Sequence, residues 1–207
     1  MNIKSKIKEY RLELVSGALG RRDELLGALK FDRVFYFVDD AFYRRYESDL
    51  KRFIGNDVVV RIEARETHKT YAKLGDYYKA LIEAGFTRND LLVTFGGGIL
   101  QDISGFIAST LYRGIKWMYF PTTLLAQADS CIGSKTSINF EDSKNLIGTF
   151  YPPDLIYLDT GFCASLSDAD FNSGLGEIIK FHFLSDPKRF VALRDFLRSG
   201  DLRRSPL

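Results

Sequence analysis

The sequence predicts an α/β fold in which a mostly parallel sheet is covered by helices, and three observations support this. Short apolar runs with strand character alternate with helical segments along most of the chain. Polar or glycine residues that could bind a ligand follow several of these runs, at Asp40, at residues 66–69 and at residues 96–98. The composition, with 45% hydrophobic and 27% charged residues among 207, allows a substantial core to be buried.

The expected strands are short, apolar and bounded by polar or turn residues. They cover residues 10–15, 33–38, 58–63, 91–95, 116–120 and 155–158. Ser16 and Gly17 end the first, and Pro121 ends the fifth. If these strands are parallel, a ligand binds beyond their carboxyl ends.

Helical periodicity fills the intervals between these strands. The expected helices cover residues 21–29, 43–53, 71–84 and 99–111, and another begins at 122. In the helix 99–111, Ile103, Phe106, Ile107 and Thr110 are expected to point inward. Ser167 with Asp170 three residues later resembles a capping box, which opens a helix-rich C-terminal portion.

The charge and cysteine content exclude several classes of protein. A net charge of +2 with dispersed basic residues gives no nucleic-acid-binding stripe. No stretch is apolar for long enough to span a membrane, and the first eight residues lack the apolar core of a secretory signal. Cys131 and Cys163 lack metal-binding spacing and are expected to be buried thiols, so we expect a reduced, cytoplasmic compartment.

Gly96, Gly97 and Gly98 follow an apolar strand, where they allow backbone amides to approach a diphosphate. Their spacing is not that of the common dinucleotide fingerprint, and a tight strand-to-helix turn is an equal alternative. Asp102, one helical turn later, is either an acceptor for a ligand hydroxyl or a solvated acid that favours the helix dipole.

Further polar residues follow the strand that ends at Pro121. Thr122 and Thr123 supply hydroxyls at a helix start, where simple N-capping is the alternative. Asp129, Lys135, Lys144 and Asn145 lie in a segment with few helix signals. They suit a phosphate or carboxylate substrate, although solvated lysine side chains are the ordinary explanation.

Glu177 and Lys180 share one face of a predicted helix that is apolar nearly all round. A glutamate on such a helix needs a cation or a metal as partner, and a surface ion pair is the simpler explanation. His182 lies about 140° away from Glu177 around the helix, so the pair is not a zinc motif. We interpret His68 and His182 as non-ligands.

These motifs together resemble the 3-dehydroquinate synthase family, from about residue 10 to residue 184. The resemblance is carried by the following residues: Gly96, Gly97, Gly98, Asp102, Gly105, Phe106, Arg113, Gly114, residues 121–125, Asp129, Ser130, Gly133, Lys135, Lys144, Asn145, Gly148 and residues 177–180.

Membership of this family would imply an NAD-binding α/β domain, here residues 1–166, joined to a helical metal-binding domain of which residues 167–207 are only the beginning. The family converts 3-deoxy-D-arabino-heptulosonate 7-phosphate to 3-dehydroquinate and phosphate in the shikimate pathway. NAD⁺ oxidises a ring hydroxyl transiently so that phosphate can be eliminated, and zinc or cobalt polarises the substrate oxygens. We also expect a homodimer.

The resemblance also assigns roles to individual residues. It implies substrate or catalytic roles for Arg113, Asp129, Lys135, Asn145 and Lys180, and a metal ligand at Glu177. The implied NAD-binding residues are Glu66, Lys69, Gly97, Gly98, Asp102, Thr122, Thr123, Lys135, Lys144, Phe162 and Ser165.

The sequence departs from the family pattern in places. The departures are Arg65, Gln101, Ser134 and Ser143 for usual glycines, Ser165 for threonine, Ser167 for proline and Asp170 for glutamate. Another sugar-phosphate cyclase, acting on glucose 6-phosphate or sedoheptulose 7-phosphate, is therefore an alternative. The segment 126–130 argues against an iron-dependent alcohol dehydrogenase.

Family members continue past residue 207, and the two histidines that complete their metal site lie in that continuation. We therefore expect the 207-residue chain alone to be inactive. A catalytically dead NAD-binding protein is the remaining alternative.

Overall fold

A computed structural model describes residues 1–199 of the chain, and these contain nine strands. The strands are β1 (Asn2–Lys4), β2 (Glu9–Val15), β3 (Val34–Asp39), β4 (Val58–Ile62), β5 (Leu91–Gly96), β6 (Lys116–Pro121), β7 (Lys135–Phe140), β8 (Ser143–Phe150) and β9 (Leu155–Asp159). The helices are α1 (Arg22–Leu26), α2 (Asp40–Arg45), α3 (Glu47–Ile54), α4 (Tyr71–Glu83), α5 (Gly98–Thr110), α6 (Leu124–Ala128), α7 (Asp168–Ser185) and α8 (Pro187–Ser199).

Seven of these strands form one sheet in the order β1-β2-β9-β6-β5-β3-β4. Only β1, which pairs with β2, runs antiparallel within this sheet. The predicted α/β fold with a mostly parallel sheet is confirmed. The edge strand β1 was not predicted, because three residues are too few to show a period.

The sheet has a separate apolar layer on each face, and β3 contributes to both. Phe35 and Phe37 pack into the layer under α4 and α5, whereas Tyr36 and Val38 pack into the layer under α1, α2 and α3. Because successive side chains on a strand point to opposite faces, a strand covered on both sides is apolar throughout. Packing on both faces holds the sheet in place, and with it the strand ends where the candidate ligand residues lie.

The predicted helix 43–53 is wrong in its start and its continuity, because two helices cover this region. The Asp39 carboxylate accepts hydrogen bonds from the amides of Ala41 and Phe42 and so starts α2 directly after β3. Tyr46 then leaves helical geometry, at φ −112° and ψ 30°, and separates α2 from α3.

Helix α5 matches its prediction closely, with one wrong orientation. Ile103, Phe106 and Ile107 are buried as expected, but Thr110 is exposed. Thr110 lies in the last turn, where its hydroxyl donates to the carbonyl of Phe106 at 2.9 Å. The apolar stripe therefore ends before residue 110.

The segment with few helix signals forms an antiparallel hairpin of β7 and β8, which was not predicted. The hairpin packs against α5, where Gly105 permits the contact: a Cβ on Gly105 would lie 2.5 Å from Cγ2 of Thr136. The pairing is irregular between Ile138 and Phe140, which weakens the alternation that identifies a strand.

The C-terminal part is helical, as predicted. Ser167 caps α7 by accepting from the Asp170 amide at 3.1 Å, and its hydroxyl donates to the Asp170 carboxylate at 2.6 Å. Helix α7 packs on α6 through a small cluster that contains Leu124, Cys163 and Phe171. The predicted domain boundary at 166/167 stays a prediction, and residues 200–207 of the second predicted domain lie outside the described residues.

Both cysteines are free and buried, as predicted. Burial raises the pKa of the Cys131 thiol to about 12 and that of the Cys163 thiol to about 11, which keeps both neutral. Among the described helices, none combines the length and the hydropathy that a membrane span requires.

Candidate functional site

A cavity of about 1060 Å³ lies at the carboxyl ends of β3, β5 and β6, between these strand ends and the start of α7. Its position agrees with the expectation for a parallel sheet. The predicted site residues that line it are Lys69, Gly97, Gly98, Asp102, Thr122, Thr123, Asp129, Lys135 and Ser165.

The glycine turn between β5 and α5 forms one wall of the cavity. Gly97 is the N-cap of α5, and a Cβ at this position would lie 3.0 Å from Cγ2 of Thr123. Nearby, the Thr122 amide donates to the carbonyl of Gly96 at 3.0 Å, which holds the ends of β5 and β6 together. The first amides of a helix have no partner within it, so this wall suits an anionic group such as a diphosphate.

The two threonines after β6 differ in their surroundings. The Thr123 hydroxyl accepts from the Ala126 amide at 3.2 Å, so Thr123 is the N-cap of α6. N-capping was the alternative to ligand binding in the sequence analysis. Thr122 is buried, at 4% exposure, and still borders the cavity. The glycine turn and the start of α6 therefore meet at a closely packed corner.

Lys69 is the most buried cation at the site, with 6% of its side chain exposed. Its ammonium group donates to Asp102 at 2.9 Å and to Oδ1 of Asn145 at 2.7 Å. Burial raises the pKa of the Asp102 carboxyl, against the opposing effect of Lys69 and of hydrogen bonds from Ser137. The network joins the loop after β4, α5 and the hairpin into one cavity wall.

Glu66 lies just behind this wall. The amide of Asn139 donates to Oε1 of Glu66 at 2.9 Å, and this bond, assisted by Lys69, lowers the pKa of Glu66. Asn139 also accepts from the backbone amide of Asn145 at 2.8 Å through its Oδ1. Glu66 and Asn145 thus support the cavity through Lys69 and Asn139 without lining it.

Asp129 and Lys135 extend from the turn after α6 and from the start of β7. Both are exposed to the cavity, and within residues 1–199 neither side chain makes a hydrogen bond or an ion pair. A carboxylate and an ammonium group that are not engaged elsewhere are suited to contact a polar ligand. They are the clearest candidates for direct ligand contact.

The remaining predicted site residues lie outside the cavity lining. Phe162 is buried beneath it, edge-on to Phe42 with ring centroids 5.0 Å apart. Arg113 is exposed at the end of the 3-10 helix Leu111–Arg113, with a left-handed φ of 64°. Lys144 is exposed on β8.

Glu177 and Lys180 form an ion pair with each other on α7, with 21% and 53% of their side chains exposed. The pair is partly exposed, so the structure shows the surface ion pair that the sequence analysis gave as the simpler explanation, and not a buried glutamate. Within residues 1–199, no group of three or more histidine, cysteine, aspartate or glutamate side chains is placed to hold a metal ion. A catalytic zinc needs three protein ligands, so the described residues do not fit a complete metal site.

The cavity also has lining residues that sequence reasoning did not assign. Polar examples are Asp39, Arg44, Arg45, Glu63, Gln101, Asp170 and Ser173. Asp39 and Glu63 could have been found from their position at the end of β3 and just after β4. Burial raises the pKa of the Asp39 carboxyl, against the bonds from the Ala41 and Phe42 amides.

Comparison with solved structures identifies proteins with this architecture. The fold is similar to that of 2-deoxy-scyllo-inosose synthase, with a TM-score of 0.79 and 23% identity over 88% of this chain and 52% of that one. It is also similar to 2-epi-5-epi-valiolone synthase from Streptomyces hygroscopicus subsp. jinggangensis 5008, solved with NAD⁺ and Zn²⁺ bound. That similarity has a TM-score of 0.75 and 30% identity over 83% of this chain and 48% of the other. The chain therefore shares its α/β fold with these synthases.

Sequence comparison is more specific. The family model described as 3-dehydroquinate synthase N-terminal matches residues 59–173, and the chain belongs to this family. It is 33% identical over 203 residues to 3-dehydroquinate synthase of Streptococcus pyogenes serotype M3, covering 97% of this chain and 57% of the relative. It is 38% identical over 158 residues to that of Prochlorococcus marinus subsp. pastoris, covering 76% and 44%. The chain thus spans about half the length of these curated relatives.

Proposed function

We propose that this chain forms the NAD-binding part of a 3-dehydroquinate synthase. The observation that carries the proposal is the cavity in which the α5 glycine turn faces the uncommitted side chains of Asp129 and Lys135. Family membership supports the activity, and the cavity supports a ligand with an anionic group next to polar hydroxyls.

The described residues fit NAD⁺. The cavity has the volume for a dinucleotide, Gly98 leaves the α5 amides open, and Thr122 and Lys69 border the same space. In this proposal the backbone at Gly97 and Gly98 lies against the diphosphate, and the ammonium group of Lys135 makes an electrostatic contact with the ligand. Bound NAD⁺ supplies reversible hydride transfer. The relative solved with NAD⁺ and Zn²⁺ supports this choice of cofactor.

The proposed substrate is 3-deoxy-D-arabino-heptulosonate 7-phosphate, whose carboxylate and phosphate require cations. Lys135 would attract the anion, and Asp129 would accept from a substrate hydroxyl. Asn145 would hold Lys69 in place, while Arg113 and Lys180 stay proposals for substrate contact from outside the described cavity. Glu177 would contribute one ligand to zinc or cobalt.

Another sugar-phosphate cyclase is the second candidate. A solved 2-deoxy-scyllo-inosose synthase complexed with carbaglucose-6-phosphate, NAD⁺ and Co²⁺ has the same fold at 23% identity. The similarity to 2-epi-5-epi-valiolone synthase is closer, at 30% identity. Phosphate release measured with each sugar phosphate would separate these substrates.

The test of the cofactor proposal is calorimetric titration of the 207-residue chain with NAD⁺. We expect saturable binding, and we expect Lys135→Gln to raise the Kd about tenfold, because one hydrogen bond from a charged group is lost. Lys73→Gln is the matched control, since Lys73 lies on α4 and pairs with exposed Asp76. No binding by the unaltered chain would refute the proposal.

We further propose that the 207-residue chain alone does not turn over substrate. Incubation with the heptulosonate phosphate, NAD⁺ and Zn²⁺ should release no phosphate above background. Steady release would show instead that this chain completes an active site unaided, for example between two copies.

A further inference from the structure

Gln101 on α5 is bonded reciprocally to Ser130 in the turn after α6. Its Nε2 donates to the carbonyl of Ser130 at 2.6 Å, and the Ser130 hydroxyl donates to its Oε1 at 2.8 Å. Gln101 is only 5% exposed and borders the cavity. One buried amide therefore satisfies both the backbone and the side chain of Ser130.

The turn held by Gln101 is the 3-10 helix Ser130–Ile132, which follows Asp129. On the other side of Asp129, Nε2 of Gln127 donates to the carbonyls of Pro121 and Asp159, both at 2.9 Å. Two buried amides thus anchor the backbone immediately before and after Asp129. The side chain of Asp129 has no bond of its own among the described residues, so its position depends on these backbone anchors.

The turn also lies directly beside the glycine turn, at the rim of the same cavity. A Cβ on Gly98 would lie 3.7 Å from Oγ of Ser130, which is ordinary contact distance. Gly133 and Lys135, which follow the turn, line the same cavity. A shift of the turn would therefore change the space above the α5 amides as well as the place of Asp129.

We propose that Gln101 is a positioning residue that sets the conformation of the turn 129–133 and thereby the cavity wall beside the glycine turn. Its effect on NAD⁺ binding rests on the function proposed above. The conformational effect rests only on the contacts with Ser130.

The chemistry of the amide explains why glutamine suits this position. Ser130 presents a carbonyl acceptor and a hydroxyl donor, so its partner must offer a donor and an acceptor side by side. An ionised glutamate accepts from the hydroxyl but repels the carbonyl, whereas a protonated glutamate again offers one donor and one acceptor. Methionine has a similar length and offers neither.

The pH dependence of Gln101→Glu tests the proposal. Burial raises the pKa of a carboxyl group, so we expect a glutamate at this 5%-exposed position to become protonated as the pH falls towards 5. Relative to the unaltered chain at the same pH, we expect its Kd for NAD⁺ to be about tenfold higher at pH 8 and to approach the unaltered value at pH 5. Comparison at equal pH removes the effects on binding that both chains share through the charged groups bordering the same cavity, which are Lys69, Asp102, Asp129 and Lys135. An ionised carboxylate at this position would also repel an anionic ligand directly, and Gln101→Met, which adds no charge, tests the lost hydrogen bonds without that repulsion.

Gln101→Met is expected to show the tenfold loss at both pH values. Ser104→Ala is the matched control on the same helix: Ser104 is fully buried, and its hydroxyl has no hydrogen-bond partner among the described residues. It should bind NAD⁺ like the unaltered chain. A loss in Gln101→Glu that is equal at pH 5 and pH 8 would overturn the proposal.

Hydrogen exchange tests the positioning role of Gln101 independently of NAD⁺ binding. The amides of Ile132 and Gly133 donate to Asp129 and Ser130 within the turn, both at 3.3 Å. Gln101→Met should accelerate their exchange about tenfold, whereas Ser104→Ala should not. Unchanged exchange in Gln101→Met would refute the positioning role, even if the chain binds NAD⁺. If the unaltered chain fails to bind NAD⁺, faster exchange in Gln101→Met alone would still support the role.

Discussion

Lys69 carries a buried charge whose partners come from three separate segments. Asp102 on α5 and Asn145 on β8 accept from its ammonium group, and Glu66 lies 3.5 Å away. Removing one member of a buried ion pair leaves the other charge without compensation, which is far more destabilising than the loss of a surface pair.

We predict that Lys69→Met lowers the free energy of unfolding by about 3 kcal/mol, because Asp102 stays buried without its cation. Urea denaturation at pH 7 measures this change. Lys73→Met, which breaks the exposed pair with Asp76, should cost less than about 1 kcal/mol. Adding Asp102→Asn to Lys69→Met should recover part of the loss, and equal losses in both lysine variants would contradict the prediction.

The same variant should depend on pH in a defined direction. Burial raises the pKa of Asp102, so its contribution to stability is fully present below its unfolded pKa, about 4, and is lost as pH rises through its folded pKa. Without Lys69 that pKa rises further. We therefore predict that the deficit of Lys69→Met shrinks as the pH of the denaturation experiment is lowered from 7 towards 4. A deficit that grows over this interval would show that Asp102 is not the affected group.

Glu66 should respond in the opposite sense. Its pKa is lowered chiefly by the bond from Asn139, so its contribution is present above its unfolded pKa and is lost as pH falls through its folded pKa. We predict that Asn139→Ala raises the pKa of Glu66 towards its ordinary value in a carbon-13 NMR titration. Glu47, whose pKa is lowered by Lys51, is the internal control and should not change. An unaltered Glu66 titration would assign the shift to another neighbour.

At the scale of elements, α7 depends on a close approach to α6. A Cβ on Gly174 would lie 2.5 Å from the Leu125 amide nitrogen and 2.6 Å from Cβ of Leu124. Real Cβ atoms do not approach other atoms so closely, so the two helices meet only because residue 174 is glycine. The placement of Glu177, one turn later, follows from this contact.

We predict that Gly174→Ala displaces α7 and destabilises its packing by about 1–3 kcal/mol. Hydrogen exchange of the α7 amides should accelerate accordingly. Gly176→Ala is the matched control, because nothing lies within 4 Å of a Cβ there, and it should slow exchange by favouring the helix. Slower exchange in Gly174→Ala would contradict the steric argument. Faster exchange in Gly176→Ala would contradict the expected gain in helix propensity.

For the molecule as a whole, helices α7 and α8 expose several large apolar side chains. Phe181, Phe183 and Leu184 are 41%, 67% and 72% exposed, and Val191 adds to them at 43%. Exposed apolar surface of this kind favours association. The predicted homodimer stays a prediction.

We predict that the 207-residue chain associates with rising concentration in multi-angle light scattering, and that Leu184→Gln weakens this association. Leu14→Gln is the matched control: Leu14 is 73% exposed but lies on β2, away from α7. A monomer at every concentration would contradict the prediction. Equal effects of the two variants would place the contact elsewhere.

The local pattern of apolar and turn residues determined the positions of the parallel strands and of their ends. The six parallel strands lie within one or two residues of their predictions. The pattern is clearest for β3, β5 and β6, because a strand buried on both faces must be apolar and must end at turn residues. The ends of those strands then placed Gly97, Gly98, Thr122 and Asp102 at one cavity. The motif spacing indicated the family that the comparisons confirm.

Tertiary structure decided which of those residues contact one another. Lys69 meets Asn145 across 76 positions of sequence, and Gln101 meets Ser130 across 29. It also decided that the segment after Asp129 is a hairpin, and that Arg113 lies outside the described cavity. Apolar period and turn chemistry act over a few residues, whereas these contacts depend on how α5, β7 and α6 pack together. No periodicity in the sequence carries that information.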